Sequence, residues 1–231
     1  MALSKIYSVG LTGLEGCLIE TESDVSIGLP AFDIVGRPDA AVKESKERVR
    51  SAISNTGFEF PLKKVTINLA PGDTKKEGPG FDLPIALSVL ITDGQVACEN
   101  VQDYIFFGEL SLGGELRPVN GALPMVLAAK EQGICKVVLP MANAREVSII
   151  EGVEVYGAEK LTDVINHLSG TSPISPSKGN MERFISDRSA APLDFADVKG
   201  QGAVKRALEI AAAGGHNCLL LDDLLHPEKS E

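Results

Sequence analysis

The chain has 231 residues and a formal charge of −10, with 44% hydrophobic and 23% charged residues. Those values describe one large globular domain, or one domain and a fragment, and exclude an intrinsically disordered chain. The excess of carboxylates opposes strong DNA binding by this chain, because affinity for DNA comes mainly from Lys and Arg on phosphates.

No window approaches the roughly 18–20 consecutive apolar residues of a membrane span. Met1 to Ser8 holds no basic region followed by an apolar core, so neither a signal peptide nor a membrane partner is expected, and the expected location is cytoplasmic. The four cysteines (Cys17, Cys98, Cys135, Cys218) form no C-x-x-C pair, and the three histidines (His167, His216, His226) stand apart from them. That scatter predicts neither a disulfide framework nor a zinc site.

Residues 4–11 and 15–23 read as two strands joined by a hairpin at Thr12-Gly13-Leu14. Phe32 to Val35 is a third strand. Asp39 to Asn55 is a helix, with Ala41, Val42, Val49, Ala52 and Ile53 at helical spacing and Gly57 as its stop. On this helix Lys43, Lys46 and Arg50 suggest a phosphate-binding stripe. The pairs Lys43–Glu47 and Glu44–Arg48, four residues apart, instead predict a solvated, self-neutralised face.

Val65 to Leu69 alternates as a strand and leads into a loop holding Gly72, Gly78, Pro79 and Gly80; a helix from Leu83 to Leu90 leads out. The glycines supply unusual backbone angles, and a positive φ is expected at Gly80. Asp82 reads as the N-cap, with Pro84 in the first turn. Strand, glycine loop and helix N-terminus is where many folds place an anion site or a nucleophile.

Tyr104 to Leu112 reads as a strand, Gly113-Gly114 as a two-residue turn, and Glu115 to Val119 as the returning strand. A helix from Pro124 to Gln132 and a buried strand from Lys136 to Pro140 follow. Asn143 to Glu146 reads as a capping box opening a short helix to Ile150. Val153 to Tyr156 is a strand and Leu161 to Leu168 a closing helix. Residues 169–193 are a linker by composition, which ends the first domain at 1–168. Strands and helices mixed in this order predict an α/β (α+β) two-layer sandwich.

The stretch from Lys75 to Leu87 resembles the signature of the ComM/YifB family of magnesium-chelatase-like AAA+ ATPases, whose N-terminal domain has the fold of the Lon proteolytic domain. The resemblance implies a Lon-like, ribosomal protein S5 domain 2-like fold. Gly108-Glu109-Leu110-Ser111-Leu112, Glu115 to Val119, Gly121, and Ala128-Ala129-Lys130-Glu131-Gln132-Gly133 through Pro140 are similar to Lon as well. Lon-type peptidases use a serine–lysine dyad, in which a neutral lysine takes the hydroxyl proton as serine attacks. The matching residues here are Gly80 and Leu123, so no catalytic residue is expected, and Lys75 and Lys76 have no nucleophile to activate. Two alternatives stand beside this reading: a peptidase with a displaced serine, Ser88 or Ser111, and a pure interaction module for protein or DNA.

Residues 194–221 resemble the opening of the magnesium-chelatase-type AAA+ module: Asp194 to Gln201, a helix from Ala203 to Ala213, and a strand from Cys218 to Leu221. In that family a glycine-rich Walker A loop follows. Here Asp222-Asp223-Leu224-Leu225-His226-Pro227 follow, and 222–231 read as an unrelated tail. Leu219 to Asp223 imitates a Walker B strand but has no bound phosphate to organise. This chain is therefore expected to hold no cofactor and no metal. For intact family members the resemblance implies ATP and Mg2+, a hexameric homo-oligomeric ring, and DNA as partner in branch migration during natural transformation (competence).

Overall fold

The computed structural model describes residues 4–13, 15–177, 179 and 195–220. The chain divides into two compact units, 1–181 and 182–231. In the first, β1 (Ser4–Thr12) and β2 (Glu15–Ser26) form the hairpin anticipated at Thr12 to Leu14, with Ser4 opposite Ser23 and Thr12 opposite Glu15. β3 (Ala31–Val35) follows, then α1 (Ala40–Asn55). The helix expected from Asp39 starts one residue later, and Asp39 caps it, accepting from the Val42 N–H at 2.8 Å.

β4 (Lys64–Ala70) alternates buried and half-buried residues, as a strand with one packed face should. A 3-10 turn (Pro79–Phe81) leads into α2 (Asp82–Thr92), in which Asp82 to Leu90 are all buried. A helix apolar all round needs cover on every side. β5 (Tyr104–Phe106), β6 (Glu109–Leu110) and β7 (Leu116–Arg117) precede α3 (Ala122–Glu131). β8 (Lys136–Pro140), α4 (Met141–Val147), β9 (Glu154–Ala158) and α5 (Leu161–Leu168) complete the unit.

Seven strands make one sheet in the order β3-β4-β2-β1-β5-β8-β9, mostly parallel, and β6 with β7 forms a separate ribbon. Along β8, Val138 packs into one core with α1, α2 and α5, while Val137 and Leu139 pack into a second with α3 and α4. That explains the unbroken apolar run of β8: it is covered on both faces. The fold is mixed α/β.

Three local readings change. The strand expected over 104–112 breaks after Phe106, and Gly113-Gly114 is not a two-residue turn. Residues 111–115 form a longer loop closed by Ser111 N–H on Glu115 O and Gly114 N–H on Ser111 O, both at 2.9 Å. α4 starts at Met141, and Asn143 caps nothing within it. Its amide reaches back to Val119 instead, donating to the carbonyl and accepting from the N–H, each at 2.9 Å.

The second unit holds α6 (Gly202–Gly214). The strand expected over 218–221 does not form at 218–220, which have no partner strand among the described residues. Asp222, Asp223 and the tail lie outside the described residues. Among those described, no helix is long and apolar enough to cross a membrane, and no group of His, Cys, Asp or Glu could hold a metal ion.

Candidate functional site

The glycine loop forms one side of a cleft of about 660 Å³. Gly78 to Phe81 lie on that side, Val9, Gly10, Leu11 and Gly13 along the end of β1, and Pro118 to Asn120 opposite. The loop is fixed from both ends. The Gly78 N–H donates to Asp39 Oδ2 at 3.2 Å, and the Gly108 N–H donates to Gly80 O at 2.8 Å. Asp39, already capping α1, thus ties the helix start to the loop.

Gly78 carries a φ of +81°, whereas Gly80 lies within the 3-10 turn and is not among the positive-φ glycines. The expected positive φ at Gly80 is corrected: the strained position is two residues earlier. A Cβ built at Gly80 meets only Val119 Cγ1, at 3.8 Å. Leu123 sits in the first turn of α3, 38% exposed, and does not line the cleft. Ser88 is buried on α2 and donates to Ile85 O at 2.8 Å; Ser111 accepts from the Glu115 N–H at 3.0 Å. Neither serine lines the cleft.

Asp82 is not an N-cap. It is the first residue of α2, fully buried, and its carboxylate takes Arg48 Nε at 2.7 Å, a second Arg48 nitrogen at 3.1 Å, the Ser45 hydroxyl and the Leu110 N–H at 3.1 Å. Burial pushes the Asp82 carboxyl up, while Arg48, Ser45 and the Leu110 N–H pull the other way. Arg48 is in turn raised, mainly by its hydrogen bond to Asp82. Arg48 therefore serves a buried carboxylate rather than Glu44. Of the suspected cationic stripe, Lys46 pairs with Asp33 at 3.2 Å and Arg50 lies 5.0 Å over the Phe60 ring.

Sequence reading also missed Lys76. It is buried, donating to the carbonyls of Pro71 and, at 2.9 Å, Thr74, and burial pushes its ammonium down. It pins the loop after β4 and does not line the cleft. Asp73 and Glu77 flank Lys76 in sequence, yet its ammonium is held by backbone carbonyls, which no side-chain pattern announces.

The family model "Subunit ChlI of Mg-chelatase" matches residues 21–143, and "Magnesium chelatase, subunit ChlI" matches 194–223. The competence protein ComM of Haemophilus influenzae is 39% identical over 222 residues, covering 96% of this chain and 43% of that protein. The YifB protein of Salmonella typhimurium is 41% identical over 224 residues, again 96% of this chain and 43% of its own length. Lon protease 2 of Bacillus subtilis is 25% identical over 167 residues, 72% of this chain and 28% of that protease. The chain thus spans less than half the length of the ComM and YifB relatives. A Lon-like α/β domain, a match to the ChlI model over more than half of the chain, and a second ChlI match from residue 194 agree, and the chain belongs to the ComM/YifB family of magnesium-chelatase-like proteins.

Proposed function

We propose that this chain is the N-terminal accessory part of a ComM/YifB-type AAA+ ATPase, with neither a peptidase nor an ATPase centre complete within it. This reading is supported by Gly80 and Leu123, the residues that match the Lon dyad by resemblance. Gly80 stands in the cleft without a side chain, and Leu123 has no basic group. In this reading no residue of the chain is catalytic and none binds a cofactor or metal. Residues 1–168 are the Lon-like domain, 169–193 the linker and 194–221 the opening of the AAA+ module.

The whole protein, on this proposal, is a cytoplasmic hexameric ring that uses ATP and Mg2+ to drive branch migration of DNA. Its support is the relative named competence protein ComM and the two ChlI matches in the same chain. The present chain lacks the P-loop whose amides and lysine hold phosphate, so Mg-ATP titrated into it calorimetrically is expected to give no heat of binding. A dissociation constant in the low micromolar range, about −8 kcal/mol, would overturn the assignment and return interest to Asp222 and Asp223.

A further inference from the structure

β1 pairs with β2 from end to end, but on its other flank it meets β5 only through Tyr7 opposite Ile105. β5 stops at Phe106. The Phe107 N–H then donates to Val138 O at 3.3 Å and the Gly108 N–H to Gly80 O, which takes the chain away from β1. Among the described residues, Val9 to Thr12 therefore have a neighbouring strand on one side only. Successive residues of a paired strand turn their N–H and C=O groups to opposite flanks. Every second peptide group of this stretch thus faces away from β2, on the flank where the cleft lies.

In the opposite wall, Val119 does not take up those groups. The Val119 N–H and C=O are both held by Asn143. Val9, Leu11, Phe81 and Met125 make the lining apolar, and Gly80 leaves space between the walls. A groove with an unpaired strand edge and apolar recesses suits an extended main chain.

Charge narrows the occupant. Among the described residues, the charged ones lining the cleft are Asp39, Glu77 and Glu109, all carboxylates. Lys75 and Arg117 pair with Glu77 and Glu109, but both cations are mostly exposed and such pairs are weak. Asp39 is bonded to the N–H groups of Val42 and Gly78 rather than to a cation.

We propose that this cleft binds an extended, basic segment of another polypeptide by strand addition to residues 9–12 of β1. The main chain of the segment pairs with the open flank, and its Lys or Arg side chains reach Asp39, Glu77 and Glu109. No bond is cut. The proposal is independent of the ring and the ATPase, so its failure leaves the family assignment standing.

The test titrates the full 231-residue chain into a fluorescein-labelled decapeptide of alternating Val and Lys, read by fluorescence anisotropy. Saturable binding in the micromolar range is expected, with at least a roughly tenfold loss for the peptide carrying Glu in place of Lys. N-methylation of alternate amides along one edge is expected to weaken binding by a similar factor, about tenfold, because it removes the pairing N–H groups. Gly80→Leu fills the groove and is expected to do the same at unchanged thermal midpoint. Amide shifts on peptide addition, followed by NMR, should centre on Val9 to Thr12. Binding that survives both N-methylation and Gly80→Leu overturns the proposal, because only the net charge is then attracting the peptide. Equal binding of the acidic peptide, or no binding of either, overturns it as well. If Gly80→Leu lowers the midpoint, the N-methylated peptide decides alone.

Discussion

The two glycines of the cleft loop make opposite demands on the backbone, and single substitutions separate them. At Gly78 a Cβ meets nothing within 4 Å, so any cost of adding one arises from its φ of +81° alone. Gly78→Ala is expected to lose about 1 kcal/mol in urea unfolding, the usual cost of a left-handed backbone with a Cβ. Gly80→Ser should change stability by less than about 0.5 kcal/mol. Combining it with Leu123→Lys should yield no casein cleavage, because a lysine at that exposed position stays hydrated and protonated, and a protonated amine accepts no proton. Rapid cleavage by the double variant would show that the rest of a peptidase site survives. Asp82→Asn poses a different question. Its carboxylate holds α1, α2 and β6 together through Ser45, Arg48 and Leu110. Leaving Arg48 without its counter-charge should cost about 3 kcal/mol, seen as a lower urea midpoint at unchanged slope. An unchanged midpoint would make the network dispensable.

At the scale of elements, α5 and the chain after it share a histidine. His167, in the last turn of α5, accepts from the Ile174 N–H through Nδ1 at 3.0 Å, and its ring lies 4.6 Å from that of Tyr156. The Ser177 N–H then donates to Val155 O at 2.7 Å, so the chain after α5 touches β9 there. Burial first, and then Lys136, lower His167 from its ordinary value of 6.5. Protonated, the ring cannot accept from Ile174. A depressed folded value means the folded state prefers the neutral ring. Its contribution is therefore fully present above the unfolded value and lost as pH falls through the folded one. Calorimetric midpoints measured from about pH 7 down to about pH 5 should fall for the native chain and fall less steeply for His167→Gln. Equal slopes would exclude His167 as the source.

For the whole molecule, charge is the governing quantity. With a formal charge of −10, the chain repels a duplex at long range. In filter binding at about 0.15 M salt, no retention of duplex DNA is expected up to roughly 100 µM chain. Tight binding would place a DNA contact within this chain. The same charge favours a basic polypeptide in the cleft.

Sequence alone determined the features set by neighbouring residues. The β1–β2 hairpin, the start of α1 next to Asp39, and the 3.6-residue spacing of Val42, Val49 and Ile53 are local, because turn and amphipathic chemistry act over a few residues. The stretch from Lys75 to Leu87 carried the family resemblance in the same way. Tertiary structure decided what depends on distant residues. Asp82 looked like a cap because its short-range context fits one, yet Arg48 and Ser45, 34 and 37 positions away, claim its carboxylate. Asn143 looked like the start of a capping box, but Val119, 24 positions back, takes its amide. The open flank of β1 depends on where β5 stops, and the Gly108–Gly80 hydrogen bond that turns the chain aside there joins residues no local pattern connects. Burial of a polar group is settled by whichever partner the fold delivers, and a partner that distant leaves no periodicity in the sequence to read.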